Sequence, residues 1–305
     1  MPRIAPTGQN LGAAVTGIDL SQPMSDGDFT TIVMALGEHG VLRFPGQDLS
    51  SQAVKDFSER FGSIQASIRS TGELPPSGVH GVGLLSNVKQ DGKYIGSHDA
   101  GQDWHTDMSY RTTMGFVNVL YGITIPKRDG RTLGGTEFRN TQRAYEALPA
   151  GMRDMLRDAT VTHDFNKFWD HMRHDKGSTR PPLTDEQRAL RPPVVHPLFL
   201  THPVTGRKVL YCNPGYAIRI NELPEAESAA ILDYLFAFQL RAEFAYLNVW
   251  TERDLLIWDN IGTIHRAIAD YGPEEHRLIK RCQVMADRIF DPGFQAQVLP
   301  PRRAA

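Results

Sequence analysis

Hydrophobic and polar positions follow two rhythms along this chain, one of two residues and one of about 3.6. Residues 12–20 (GAAVTGIDL) predict a short strand, after which Ser25, Asp26 and Asp28 supply helix-capping side chains ahead of the amphipathic run 29–40. Gly40 closes that helix. The apolar strand 41–44 (VLRF) and a Pro45-Gly46 turn follow, then a second amphipathic helix over 51–61 (SQAVKDFSERF). The chain thus opens as strand, helix, strand, helix.

Between 63 and 101, Gly, Ser and Pro are frequent, and one apolar island at 82–88 predicts a weak strand between long loops of the kind that cover active sites. The β-rich run 115–125 ends at Pro126, a polar loop spans 127–135, and a strand resumes at 136–138. Two helical runs, 142–148 and 150–158, are split by Pro149. Segment 162–193 is rich in Arg, His, Asp and Pro, carries the aromatic pair Phe168-Trp169, and predicts a lid or exposed insertion. Strands return at 194–200, 208–211 and 216–220, followed by a helix over 226–242 and closely spaced strands at 244–250, 254–258, 263–269 and 276–286. The Pro-rich tail after Asp291 reads as peripheral. No repeat, low-complexity block or linker divides the chain, so the pattern predicts one domain over 1–305, mainly β, with a barrel or sandwich core and helices attached outside.

Composition narrows the partner. A chain of 305 residues, 40% hydrophobic, can bury a substantial core, and a formal charge of −2 offers no whole-protein attraction for nucleic acid or an anionic membrane. A small molecule is the expected partner. Cys212 and Cys282 are too few for a disulfide framework or a Cys-rich zinc site, and no stretch approaches about 18 uninterrupted apolar residues. With no apolar core behind a basic start, the expectation is a soluble cytoplasmic protein.

The candidate chemistry centres on 101–110 (GQDWHTDMSY), which holds His105 and Asp107 as an H-x-D pair. On an extended strand these two side chains share a face and can grip one metal ion. A third ligand is best sought in the terminal strands, where LLIWDN runs into Ile261-Gly-Thr-Ile-His265. Two histidines and a carboxylate form the facial triad of non-haem Fe(II) oxygenases, which leaves three coordination positions for co-substrate and oxygen. Downstream, Arg277 and Arg281 share a strand face, their backbones roughly 13 Å apart at a rise of ~3.3 Å per residue. They form either an outward basic stripe or an inward pair that needs anions to meet it. His80 alone in a loop reads by default as a solvent or local hydrogen-bonding group. His163, His171 and His174 invite a metal reading, the last two at a spacing that suits one helix face, but no carboxylate or thiolate partner is fixed by pattern.

Taken together, the opening GAAVTGIDLSQPMSD, HGVLRFPGQDLS, WHTDMSY, GGTEFRNTQRAYEALP, HPVTGRKVLYCNPGYAIRI, LLIWDN and HRAIADYGPEEHRLIKR give a resemblance over nearly the whole chain. The sequence resembles the taurine dioxygenase and 2,4-dichlorophenoxyacetate dioxygenase family of Fe(II)/2-oxoglutarate enzymes. The resemblance implies a double-stranded β-helix (jelly-roll, cupin-like) core, a resident Fe(II), 2-oxoglutarate and O2 as co-substrates, and a dimer or tetramer. It implies hydroxylation of a small anionic substrate, a sulfonate, aryloxy or other carboxylic acid, with succinate and CO2 as co-products.

By position, the resemblance makes His105, Asp107 and His265 the iron ligands, and Thr136 with Arg277 the holders of the distal carboxylate of 2-oxoglutarate. Arg281 matches the arginine that meets the substrate anion. Trp104 and Trp258 would line the site and His80 resembles a substrate-contacting histidine, while Tyr110, from its place beside the ligand pair and not from the resemblance, is expected to face the substrate. The chain departs from the pattern at Gly135, where the family usually has Asp, in a longer loop at 127–131, and by one extra residue between His265 and Arg277. Gly101 stands where the taurine enzyme has a polar residue, so taurine itself is not carried over. Two other readings share the same residues: a metal-dependent hydrolase, and a catalytically silent 2-oxoglutarate-binding protein.

Overall fold

The computed structural model describes residues 1–65, 74–178 and 181–299. Parts of the expected loops at 66–73 and 179–180, and the tail residues 300–305, lie outside the described residues. The chain enters as the hairpin strands β1 (Arg3–Pro6) and β2 (Ala13–Thr16), then helix α1 (Asp26–His39). The Ser25 side chain caps α1 by accepting from the Asp28 amide, and Asp26 and Asp28 in the first turn complement the helix dipole. Gly40 ends α1 at φ 66°, in the left-handed region, where a Cβ would lie 2.6 Å from the Leu11 side chain. Next come β3 (Val41–Phe44), α2 (Ser51–Glu59), β4 (Gly83–Ser86), a short hairpin of β5 (Lys89–Gln90) and β6 (Lys93–Tyr94), and the long β7 (Gly115–Thr124).

The polar loop after β7 closes as a second short hairpin, β8 (Lys127–Arg128) with β9 (Arg131–Thr132), before β10 (Thr136–Asn140). Helices α3 (Thr141–Ala147) and α4 (Ala150–Met155) meet at Pro149, whose missing N–H cannot continue a helix. Strand β11 (Thr160–His163), α5 (Phe165–His174) and α6 (Asp185–Ala189) precede β12 (Val194–Pro197), β13 (Phe199–Thr201), β14 (Lys208–Leu210) and β15 (Ala217–Ile220). The chain ends with α7 (Glu225–Gln239), β16 (Ala245–Asn248), β17 (Leu255–Asp259), β18 (Thr263–Ala267), β19 (Leu278–Met285) and α8 (Pro292–Val298).

Among the described residues the strands form a seven-stranded major sheet in the order β1-β2-β3-β17-β7-β19-β4 and a minor sheet β16-β10-β18, with smaller sheets beside them. Alternation sorts the side chains of the major sheet. Leu42, Val117, Val119, Ile257, Cys282 and Val284 pack on one face with α1, α2 and α8, whereas Val41, Leu120, Leu256, Trp258 and Ile279 face Phe138 and Tyr246 of the minor sheet. A third cluster joins α3, α4 and α7 to β11 and β13–β15. This is the jelly-roll core with attached helices that the sequence led us to expect.

One expectation gains detail and another needs correction. The segment 162–193 contains an ordered helix, α5, capped by the Asp164 side chain and burying Phe165, Phe168 and Met172 at helical spacing. Each such burial stabilises by roughly 1.5–3 kcal/mol, which offsets the polar bias of the segment. The tail is also less peripheral than expected, since α8 packs beside α1 and buries Val298.

Candidate metal centre

The H-x-D stretch is not the extended strand expected from its sequence. His105 forms an isolated antiparallel bridge with His265 through two backbone hydrogen bonds of 3.1 and 2.9 Å, and the chain then turns, with Met108 in the left-handed region at φ 60°. Thr106 Oγ1 donates to the Thr263 carbonyl, and the Ala267 amide donates to the Gly101 carbonyl, so the turn is pinned along β18. The bridge sets the two imidazoles side by side, ring centroids 4.3 Å apart. Nε2 of His105 lies 3.5 Å from Asp107 Oδ1, and Nε2 of His265 lies 3.8 Å from Asp107 Oδ2.

All three groups are buried, and one donor atom from each lies within 4.8 Å of the others. His105 Nδ1 is 2.7 Å from the Asp103 carbonyl oxygen, which only accepts, so the ring proton sits there and the Nε2 lone pair is free for a metal. Burial disfavours charge on His105, yet hydrogen bonding and charge from Asp107 and the Asp103 carbonyl outweigh it and raise its pKa. Asp107 is held far below the usual carboxylate range, against its own burial, by His105, His265 and Arg281. His265 is pushed well below the usual range by burial and by the neighbouring charge on His105. One carboxylate, one imidazole kept neutral and one that exchanges a proton for a cation are a donor set suited to a divalent metal.

Arg277 supplies a second mark of a ligand. It is buried, makes no ion pair among the described residues, and its Nε has no hydrogen-bond partner, and burial lowers its pKa. A buried guanidinium without an anion is costly, so a carboxylate from outside the chain fits here. Gly134 lets it pack: at φ 70°, a Cβ there would lie 3.0 Å from Arg277 Nε. Two residues on, Thr136 is buried and accepts a 3.0 Å hydrogen bond from Trp250 Nε1, which leaves its own proton to donate. Arg281 is half-buried on β19, with Ile279 on the face toward the minor sheet, and its charge acts on His105, Asp107 and His265. The inward orientation of the two arginines is therefore the one the fold adopts.

The remaining expected residues divide. Tyr110 belongs with the cluster: burial and the Asp107 charge raise its pKa, its ring packs on Phe165 and Tyr216, and it also lines a cavity of about 430 Å³. Trp258 packs 4.6 Å from the His265 ring. Trp104 instead makes cation–π contacts with Arg139 and Arg266, both paired with Glu137, on the side of the minor sheet away from His265. His80 is exposed in the turn before β4, and no contact among the described residues joins it to the cluster.

Of the three other histidines, His163 is buried with its pKa pushed down to about 3 by burial and by His196, and hydrogen-bonds Ser109. His171 lies between Asp103 and Asp175, 2.6 Å from each, and His174 is exposed. Three site residues escaped the sequence pattern or were given little weight. Phe168 and Tyr216 wall the His105 ring at 5.8 and 6.4 Å, and Asn118 donates to Asp107 Oδ2. Phe165, Phe168 and Met172 at helical spacing were the available signal for the first; nothing local marks the other two.

Comparison with known proteins supports this reading of the cluster. Residues 3–283 match the model of the taurine catabolism dioxygenase TauD, TfdA family. The chain is 31% identical to a pentalenolactone F synthase of Streptomyces avermitilis, over 93% of this chain and 94% of that protein. It is 28% identical to an alpha-ketoglutarate-dependent 2,4-dichlorophenoxyacetate dioxygenase of Cupriavidus pinatubonensis, over 92% and 96%. Among solved structures, AAD-2 in complex with Mn(II) and N-oxalylglycine superposes with a TM-score of 0.75 at 26% identity, covering 93% of this chain and 97% of that one.

Proposed function

The chain belongs to the taurine catabolism dioxygenase TauD, TfdA family of 2-oxoglutarate-dependent dioxygenases, and on that premise we propose that it hydroxylates a small anionic organic substrate using Fe(II) and O2. The observation that carries this reading is the joint presence of a buried His105–Asp107–His265 cluster and a buried Arg277 with no anion of its own. A metal hydrolase would have no use for the second feature, and two of the relatives are named as alpha-ketoglutarate dioxygenases.

His105, Asp107 and His265 would hold Fe(II) through two nitrogens and a carboxylate oxygen. Arg277 and Thr136 would fix the distal carboxylate of 2-oxoglutarate by charge and by the hydroxyl proton, which sets the keto end toward the metal. When bound, the iron and co-substrate supply the oxidising chemistry, with succinate and CO2 as co-products and a hydroxyl transferred to the substrate. Arg281 would bind the substrate's sulfonate or carboxylate, while Tyr110, Phe168 and Tyr216 give an apolar body a wall to lie against and exclude water from the metal. Helix α5, within 162–193, would serve as the lid of a single domain. Two of the relatives act, by name, on a phenoxyacetate and a phenoxypropionate, which suits an aromatic wall beside an arginine.

Anaerobic addition of Fe(II) and 2-oxoglutarate is expected to give a visible metal-to-ligand charge-transfer band. Oxygen uptake and succinate formation are then measured over a panel of sulfonates and aryloxy acids. No band, or no substrate-dependent succinate from any anion, counts against the proposal.

A further inference from the structure

We propose that Asn118 is a positioning residue for the metal site: it holds one oxygen of Asp107 so that the carboxylate offers the metal a single oxygen. The inference rests on the metal reading above. Asn118 is fully buried on β7, next to Trp258 of β17 in register and on the same face as Leu120. Its Nδ2 donates to Asp107 Oδ2 and, at 3.5 Å, to Asn260 Oδ1. Trp258 Nε1 donates to that same Asn260 oxygen at 3.1 Å.

The indole fixes the direction of the whole chain of bonds. An indole N–H only donates, so the Asn260 atom it meets must be the carbonyl oxygen, and the Asn118 atom facing that oxygen must be the amide nitrogen. Trp258 thus commits Asn118 to donate toward Asp107. The Trp258 ring also packs 4.6 Å from the His265 ring, so one network touches both the carboxylate and an imidazole of the cluster.

Each of the two amides wastes one of its polar atoms. Asn118 Oδ1 and Asn260 Nδ2 are buried without partners among the described residues. Buried polar atoms left unpaired destabilise a fold, and apolar side chains in such a place serve stability better. Fold stability therefore does not account for these amides, whereas the bond to Asp107 does. With Oδ2 held, Oδ1 remains for the metal, 3.5 Å from His105 Nε2.

The test uses Co(II) as probe, titrated into the wild type, Asn118→Leu and Asn118→Ala and followed by its visible absorption, with thermal melting of the metal-free proteins alongside. Both variants are expected to bind Co(II) about 10–100-fold more weakly, as for other residues that orient metal ligands, with an altered Co(II) spectrum. The metal-free Asn118→Leu protein should melt no lower than the wild type. Co(II) affinities within twofold of the wild type in both variants overturn the inference, as does a loss of affinity matched by a drop in metal-free melting. A wild type that takes up no Co(II) instead removes the metal reading, and this inference with it.

Discussion

Among the described residues two buried histidine–carboxylate groups differ in what is left over. His202 and Asp259 are both wholly buried, with Nε2 and Oδ2 2.7 Å apart. Asp259 also accepts from the Ile261 and Gly262 amides, and His202 Nδ1 accepts from the Val204 and Thr205 amides. Each side chain is closed by main chain. At His105, Asp107 and His265 the Nε2 atoms converge with the carboxylate, and His265 Nδ1 has no partner among the described residues. The arginines repeat the contrast: Arg139 meets Glu137 at 2.9 Å, while Arg277 meets no carboxylate among the described residues. Residue type is the same in each pair of cases. Incomplete satisfaction marks the half that is built for a ligand.

The largest expected effect breaks the comparison at its open end. His105→Ala should abolish the charge-transfer band and turnover while the protein stays folded, as read by anaerobic absorption and circular dichroism. The matching change at the closed end, His202→Leu, removes a hydrogen bond to the buried Asp259 carboxylate and should cost about 1.5–3 kcal/mol of stability in denaturant titration. Its folded fraction should still bind metal. If His202→Leu melts like the wild type, the His202–Asp259 group is not closed in the sense that separates it from the His105 cluster.

Arg277→Met sharpens the contrast, because it removes a buried charge that meets Tyr271 but no carboxylate among the described residues. Affinity for 2-oxoglutarate should fall by about 2–5 kcal/mol, measured by calorimetry on the metal-loaded protein, while the ligand-free form should melt no lower. Equal co-substrate affinity in the variant would deny Arg277 its role.

The smallest effect concerns His163, a buried histidine outside both groups. In the unfolded chain it takes up a proton below about pH 6.5, whereas in the fold it resists until about 3. Between those values the unfolded state binds more protons, so this contribution to stability is full above about pH 6.5 and falls as pH falls. At ~1.4 kcal/mol per unit, acidifying to pH 5 should cost about 2 kcal/mol, and His163→Gln should flatten that slope.

Much of the fold was legible because its signals are local. Ser25 and Gly40 bound α1, Pro149 splits α3 from α4, and each acts within a turn of its own position. Helix α5 is not announced by the pattern of 162–193, because its His, Arg and Asp residues mask Phe165, Phe168 and Met172, whose burial depends on Tyr110 and Tyr216 elsewhere in the chain. The H-x-D turn is hidden from the sequence for a related reason. A left-handed Met108 and a bridge to His265 are imposed by β18, which no local pattern announces.

The site residues divide in the same way. His105, Asp107, His265, Arg277 and Arg281 could be named as candidates by residue type, spacing and family resemblance together, because metal and carboxylate chemistry admits few side chains. Which way each points was decided only by the folded sheets. Trp104 turns outward to Arg139 and Arg266 because the backbone at the His105 bridge alternates sides, and His80 stays exposed in its turn. Asn118 stands beside Trp258 only because β7 pairs with β17. By itself the sequence determined the kinds of chemistry available and the local elements that carry them. The tertiary structure decided which polar atoms find partners and which stay free for a ligand, since that depends on neighbours far away in the chain.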